Sequence, residues 1–294
     1  MPWAEVSLSI PRELAESAEQ TLETQGALAI TLQDSADHPV LEPLPGTAPL
    51  WPEVQLRGLF SADVQRSEVS QALLGLPGVN RAEFLAWRDV ADQDWTRAWM
   101  DRFRPMKFGK GLWIVPTGME EPDDPEAVIL RLDPGLAFGT GTHPTTALCL
   151  GWIDGCDWSG RIVVDYGCGS GVLGIAAALK GAKTVVCVDN DPQALEATTA
   201  NAERNAVAER IHCTAPEAFE EKRADVVLAN ILAAPLIELA PVLQNSLAEN
   251  GQVVLSGILE EQAEAVAQAY RSGFGSISAE MLDGWVRLHG TGKR

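Results

Sequence analysis

The chain is poor in positive charge, has no cysteines at metal-ligand spacing and has no long apolar run. Lysine and arginine total 22 against 41 acidic residues in 294, a formal net charge of −19. Such a balance argues against tight, sequence-independent nucleic-acid binding, whose affinity comes from basic groups on phosphates. It suits a small ligand or a basic partner. The five cysteines, Cys149, Cys156, Cys168, Cys187 and Cys213, are odd in number and contain no CxxC pair. They therefore read as small buried hydrophobes, not as a disulfide framework or a zinc site. The longest stretch free of Asp, Glu, Lys and Arg, Pro134–Ile153, carries four Gly, two Pro and four Thr. It is too polar and too broken for a membrane span. The opening residues Met-Pro-Trp-Ala-Glu lack a basic region followed by an apolar one, so no secretory signal is read and a cytoplasmic location is expected.

What is present is enough for cores. Hydrophobic residues make up 46% of the chain and charged ones 21%, the composition of a folded protein long enough for two domains. The acidic excess is even, 15 acids and 6 bases in residues 1–100 against 26 and 16 afterwards, so charge does not say which part meets a partner.

Before about residue 90, strand and helix signals alternate. Val6, Leu8 and Ile10 mark a half-buried strand, and Pro11 opens a helical stretch to about Thr24. Strands are expected at Ala27–Leu32, Glu53–Phe60 and Val79–Val90, with a helix over Ala62–Leu74. That order, βαββαβ, is the split βαβ arrangement of a ferredoxin-like α+β domain. Five prolines between 33 and 52, and three between 116 and 127, mark irregular loops. The first domain holds no Gly-rich turn or paired-acid cluster, and residues 1–90 read as a docking module. Trp95, Trp99 and Phe103 recur at four-residue spacing, as on one stripe of a linker helix over 91–104, either a packed connection or a hinge.

The remainder, 105–294, alternates strand and helix from about residue 160. Strands are expected at Arg161–Asp165, Thr184–Asp189, Ile211–Thr214, Asp225–Ala229 and Gln252–Ser256. Helices are expected at Val172–Lys180, Pro192–Asn205, Pro235–Leu247 and Glu260–Arg271. Such alternation gives an α/β fold, a parallel sheet with helices on both faces. Two further strands joined through Asp283-Gly284 form a closing hairpin.

Chemistry concentrates in four places. Asp165-Tyr166-Gly167-Cys168-Gly169-Ser170-Gly171 follows an apolar strand and precedes a helix, a turn that lets backbone pass close to a ligand. Asp165 is suited either to accept from an amine or to fix the loop. A GxGxxG pattern at Gly169, Gly171 and Gly174 is compatible with a dinucleotide site but is a weak signal alone. Asp189, at the end of the next strand, is placed to accept both hydroxyls of an adenosine ribose, while Asp191 and Pro192 read as a helix cap and first turn. Asn230-Ile231-Leu232-Ala233 follows another strand, where an Asn serves either as cap or as ligand. The loop Asp133–Thr146, rich in Gly, Thr and His, reads as a ligand cover. Together these imply an adenosine-containing cofactor of open identity.

The D-Y-G-C-G-S-G turn, Asp189 and N-I-L-A resemble the Rossmann-like S-adenosylmethionine-dependent methyltransferases. With D-P-G-L-A-F-G-T-G-T-H-P-T-T the chain resembles one family among them, the bacterial ribosomal protein L-eleven methyltransferases (PrmA), over nearly its whole length. The resemblance implies S-adenosyl-L-methionine as cofactor and lysine side chains, together with the N-terminal amine, as acceptors on a basic large-subunit ribosomal protein. It implies that Gly167, Gly169 and Gly171 pass the methionyl part and that Asp189 holds the ribose. Thr145, with Phe138 and Gly139, would close over the cofactor, and Asn230 would receive the acceptor amine beside the methyl. His143 is expected to serve loop structure. No membrane or direct nucleic-acid contact and a monomeric state are expected. Methylation of another protein, an RNA or a small-molecule amine, a nicotinamide dehydrogenase, and a non-catalytic binding protein are the alternatives.

Overall fold

The computed structural model of the chain describes residues 3–34, 51–76, 79, 85–90, 104–133, 143–220 and 223–293. The chain divides into two compact units, Met1–Ala98 and Trp99–Arg294. The expected linker helix with Trp95, Trp99 and Phe103 falls outside the described residues, as do Phe138 and Gly139.

In the first unit the strands are β1 (Trp3–Pro11), β2 (Ala29–Asp34), β3 (Glu53–Ser61) and β4 (Leu85–Val90), with helices α1 (Ala15–Thr24) and α2 (Arg66–Leu74). Their sheet order, β2-β3-β1-β4, is fully antiparallel, and with the two helices it gives the βαββαβ arrangement the sequence predicts. Alternate residues of β1 and β3 (Val6, Leu8, Ile10, Leu56, Phe60) are buried against Ala18 and Leu22 of α1 and Val69 and Leu73 of α2. Pro11 still belongs to the strand, and a 3₁₀ turn over Arg12–Leu14 separates it from α1.

The second unit begins with a small sheet absent from the sequence reading: β5 (Met106–Phe108), β6 (Leu112–Val115) and β7 (Val128–Arg131). Side chains tie it to the rest of the unit. Asp154 Oδ2 accepts from the Lys110 and Gly111 amides, and Asn205 both donates to the Arg131 carbonyl and accepts from its amide.

The main sheet has seven strands in the order β10-β9-β8-β11-β12-β14-β13. They are β8 (Ile162–Tyr166), β9 (Thr184–Val188), β10 (Ile211–Thr214), β11 (Ala224–Asn230), β12 (Leu247–Leu259), β13 (Phe274–Leu282) and β14 (Trp285–Lys293). β10 to β12 pair in parallel across β9, β8 and β11, and β14 and β13 add antiparallel. Helices α3 (Pro144–Asp154), α4 (Val172–Leu179), α5 (Pro192–Arg204), α6 (Ala233–Glu238), α7 (Ala240–Asn245) and α8 (Ala263–Tyr270) cover the two faces, each with its own apolar core. α4, Val-Leu-Gly-Ile-Ala-Ala-Ala-Leu, is buried on nearly every side, which explains an apolar pattern without an exposed face.

Two expectations change in detail. The helix expected over Pro235–Leu247 is two short ones, because Pro241 removes a backbone donor and crowds the preceding turn. The strand expected at Gln252–Ser256 runs from Leu247 to Leu259, passing Gly257 at φ +85°. The closing hairpin has Asp283 at φ +49° and Gly284 at φ +79°, the doubly left-handed turn that an Asp-Gly pair favours.

The order of strands reverses between β8 and β11. From β8 the chain winds outward to β9 and β10, and then returns to the other side of β8 as β11. At such a switch point the connections leave in opposite directions, opening a crevice beyond the carboxyl ends of the two strands. The glycine turn follows β8 and Asn230 ends β11, so both motifs meet there.

Candidate active site

A cavity of about 750 Å³ lies at this crevice. Its walls come from four segments: the glycine turn, the end of β9 with Asp189 and Asn190, the Asn230-Ile231-Leu232 run, and the start of α3 with His143 and Thr145. Trp285 and Gly257 close the side next to β12 and β14. The volume is that of a pocket for a nucleoside-sized ligand.

The turn needs its glycines for two different reasons. Gly167 has φ +74°, and a Cβ there would sit 2.2 Å from Ile231 Cγ2. The turn after β8 and the run after β11 thus approach at a distance only hydrogen permits. Gly171 also has a left-handed φ, +77°, but its missing Cβ faces Thr198 Cγ2 of α5 at 2.7 Å. Gly167 and Gly169 line the cavity, whereas Gly171 stands behind the turn as the N-cap of α4.

Two carboxylates brace the turn from below. Asp165 is 1% exposed and its Oδ2 accepts from the Gly174 amide at 2.8 Å, so it fixes the loop to the first turn of α4. Burial pushes its pKa up to about 7; the Gly174 hydrogen bond opposes that rise, and negative charge at Asp189 and Cys213 adds to it. Asp189 Oδ2 accepts from the Gly169 amide at 2.9 Å and its Oδ1 from the Asp191 amide at 3.0 Å. Both carboxylates border the cavity and favour a cationic ligand in it. Asp191 caps α5 by accepting from the Gln193 amide, with Pro192 in the first turn, as the sequence predicts.

On the opposite wall, Asn230 ends β11 beside Ser256 of β12. Its Nδ2 donates to Thr146 Oγ1 at 3.3 Å. Its Oδ1 is buried with no hydrogen-bond partner among the described residues. An amide oxygen held in that way lacks a donor it would ordinarily have, and a ligand N–H can supply one. Thr145 is buried in the first turn of α3; its carbonyl accepts from Ser256 Oγ at 3.1 Å. Thr145 is therefore a fixed piece of wall.

His143 caps α3. Its Nδ1 accepts from the Thr145 amide and lies 2.8 Å from Thr145 Oγ1. Burial lowers its pKa, which favours the neutral ring with its proton on Nε2. The ring meets Trp285 edge to face, centroids 4.8 Å apart. The sequence gives a reason for a cap at 143 but none for Trp285, 142 residues away, nor for Pro216, which lines the cavity beyond β10. Among the described residues no group of three or more His, Cys, Asp and Glu could hold a metal ion.

Comparison with known proteins shows the family. The family model described as ribosomal protein L11 methyltransferase (PrmA) matches residues 2–293. A ribosomal protein L11 methyltransferase of Methylococcus capsulatus is 48% identical over 289 residues, covering 98% of each chain. One from Pseudomonas putida is 50% identical over 291 residues, covering 99% of each. The crystal structure of a ribosomal protein L11 methylase from Lactobacillus delbrueckii subsp. bulgaricus superposes with a TM-score of 0.60 at 34% identity, covering 65% of this chain and all of that one. With its Rossmann-like sheet and nearly complete match, this chain belongs to the ribosomal protein L11 methyltransferase family and is an S-adenosylmethionine-dependent methyltransferase.

Proposed function

We propose that this chain transfers methyl groups to lysine side-chain amines, and to the terminal amine, of the large-subunit ribosomal protein for which its family is named. The observation that carries the reading is the buried Oδ1 of Asn230 at the cavity, which has no hydrogen-bond partner among the described residues. The bound cofactor supplies an electrophilic methyl group on a positively charged sulfonium. Everything else is asked of the protein.

Asp165 and Asp189 supply negative potential for that cation, and Asp189 is suited to accept from ribose hydroxyls on lone pairs its two backbone donors leave free. Gly167 and Gly169 give the backbone access that the methionyl part needs, with Gly171 serving from behind by seating α4 against α5. Thr145 and Pro216 act as walls, and Phe138 and Gly139 belong to the covering loop.

Asn230 orients the acceptor. A free lysine has a pKa of about 10.4, so neutralising it at pH 7 costs about 4–5 kcal/mol. A carboxylate at 230 would stabilise the ammonium form and raise that cost. The neutral amide accepts an N–H with far less bias toward the charged form, and Thr146 holds its Nδ2 so that Oδ1 is free. Alignment of amine, methyl and sulfur then carries most of the acceleration.

The first unit is proposed to dock the basic substrate, with residues 91–104 as linker and 105–294 as the catalytic part. A cytoplasmic, monomeric enzyme that touches neither membrane nor nucleic acid completes the reading. Among the described residues no helix is long and apolar enough to cross a membrane. The test is incubation with methyl-labelled cofactor and unmethylated large-subunit proteins, with label mapped by mass spectrometry. Label confined to lysines and the terminal amine of one ribosomal protein is the expected result. Label on RNA or on free amines alone would overturn it.

A further inference from the structure

Two of the five cysteines, Cys187 and Cys213, lie behind the glycine turn with no part in the methyl-transfer chemistry, and a third, Cys168, belongs to the turn itself. Cys213 of β10 is the register partner of Cys187 of β9, and Cys187 is in turn the partner of Asp165 of β8. Register partners of adjacent parallel strands point to the same face with their Cα atoms about 4.8 Å apart. That separation is within the range a disulfide spans, about 4.4–6.8 Å. Cys168 and Cys187 belong to one apolar core with Cys213 packed against it, and both neighbouring thiols act on that of Cys187. Cys187 is fully buried, whereas Cys213 is half-buried on a strand at the sheet's edge. All five cysteines are free thiols.

We propose that Cys213 and Cys187 form a peroxide-reactive pair whose oxidation to a disulfide weakens cofactor binding. Cys213 is the attacking member. The Thr199 hydroxyl of α5, which donates to the Leu195 carbonyl at 2.8 Å, shares its proton with Cys213 Sγ at 3.5 Å, and the Cys187 thiol acts on the same sulfur. These hydrogen bonds, the Cys187 one first, lower its pKa to about 6 against the opposing effect of burial, so it is largely thiolate at neutral pH. The neighbouring Cys168 and Cys213 thiols, and then burial, push the Cys187 thiol well above its ordinary value, so it stays protonated while Cys213 reacts first.

The chemistry balances with hydrogen peroxide as the named oxidant. The Cys213 thiolate attacks one peroxide oxygen, the O–O bond breaks, hydroxide leaves and a sulfenic acid remains. Cys187 sulfur then attacks the sulfenic sulfur, the S–O bond breaks, and its thiol proton leaves with the oxygen as water. Two thiols and one peroxide give one disulfide and two waters.

Coupling to the cofactor site follows from what Cys187 touches. Its Sγ lies 2.9 Å from where a Cβ on Gly174 would stand, and Asp165 Oδ2, which holds the Gly174 amide, is 3.1 Å from the same point. Drawing Cys187 Sγ toward β10 therefore leaves a gap beside the first turn of α4, behind the glycine turn whose Cys168 lines the cavity. The effect on the cofactor rests on the site proposed above, but the covalent event does not.

The full chain, first reduced, is treated with hydrogen peroxide under native conditions and its peptides are mapped by mass spectrometry, while S-adenosylmethionine affinity is followed by calorimetry. A Cys187–Cys213 disulfide two hydrogens lighter than the thiols is expected, with affinity reduced about tenfold and restored by dithiothreitol. Cys213→Ser and Cys213→Val, the latter chosen to suit an edge strand, should show neither change. Conversion of Cys213 to sulfinic or sulfonic acid without a cross-link would overturn the proposal, as would a Cys168–Cys187 disulfide that persists in Cys213→Val. A mapped disulfide with unchanged affinity would overturn the coupling. Absence of cofactor binding in the reduced protein would instead fail the assigned site and leave the disulfide map to decide the pair.

Discussion

Asn230 Nδ2 donates to Thr146 Oγ1 at 3.3 Å, and the oxygen of the same amide is left buried without a partner among the described residues. The two residues are 84 positions apart and belong to β11 and α3, so the packing of that helix on the sheet decides which way the amide faces. The oxygen's role as acceptor of the substrate amine predicts that Asn230→Asp binds S-adenosylmethionine normally and loses turnover about 100-fold at pH 7. Thr146→Val should keep cofactor affinity and lower kcat less severely, because the amide remains but is no longer held. Single-turnover methylation measured from pH 7 to 9 checks this, and full activity of Asn230→Asp across that range would remove the assigned role.

The approach of the glycine turn to Ile231 makes a second prediction. A Cβ at 167 would lie 2.2 Å from Ile231 Cγ2, and the residue sits at φ +74°. Gly167→Ala should lose about 1–3 kcal/mol from backbone strain alone. It should also displace the Asn230-Ile231-Leu232 run. Gly171→Ala meets Thr198 instead, so Thr198→Ala in the same chain should recover part of its stability while doing nothing for Gly167→Ala. Thermal melting of the four variants separates the two cases.

These contacts also show what the sequence could and could not say. The parallel sheet, the βαββαβ unit and the Asp283-Gly284 hairpin follow from local period and turn chemistry, and they are where the sequence places them. The break at Pro241 was visible as a residue and missed as a consequence. The sheet of β5, β6 and β7 was not legible, because strands of three or four residues carry too little alternation against the prolines and acids of 116–127. Pairings such as His143 with Trp285, or Cys187 with Cys213, depend on strand order and register, which a single sequence encodes only through the fold as a whole.

The raised pKa of Asp165 carries a pH dependence of definite sign. An aspartate near pKa 4 in the unfolded chain and about 7 in the folded one binds its proton more tightly when folded. Between roughly pH 4 and 7 the folded state therefore holds one proton more than the unfolded state, and stability falls as pH rises through that window. The cofactor-free protein should melt at a higher temperature at pH 6 than at pH 8 by this contribution, and Asp165→Asn, which can still accept from the Gly174 amide, should flatten the difference. A cationic cofactor favours the charged carboxylate, so its binding near pH 6.5 should release a proton. Calorimetry in buffers of different ionisation enthalpy reads that release directly, and its persistence in Asp165→Asn would assign it to another group.

The first unit has its own apolar core, built from β1, β3, α1 and α2, and among the described residues the cavity is lined by those of the second. Removing residues 1–90 should then leave the cofactor affinity of the remainder close to that of the full chain. Docking of the basic substrate by the missing unit predicts loss of labelling of the ribosomal protein, seen as a rise in KM beyond the accessible range with kcat for a short lysine peptide little changed. Supplying residues 1–90 as a separate chain should not restore activity, because the effective concentration given by the covalent linker is lost. Undiminished labelling by the shortened chain would mean that the second unit recognises the substrate alone, and the docking assignment would fall while the methyltransferase assignment stood.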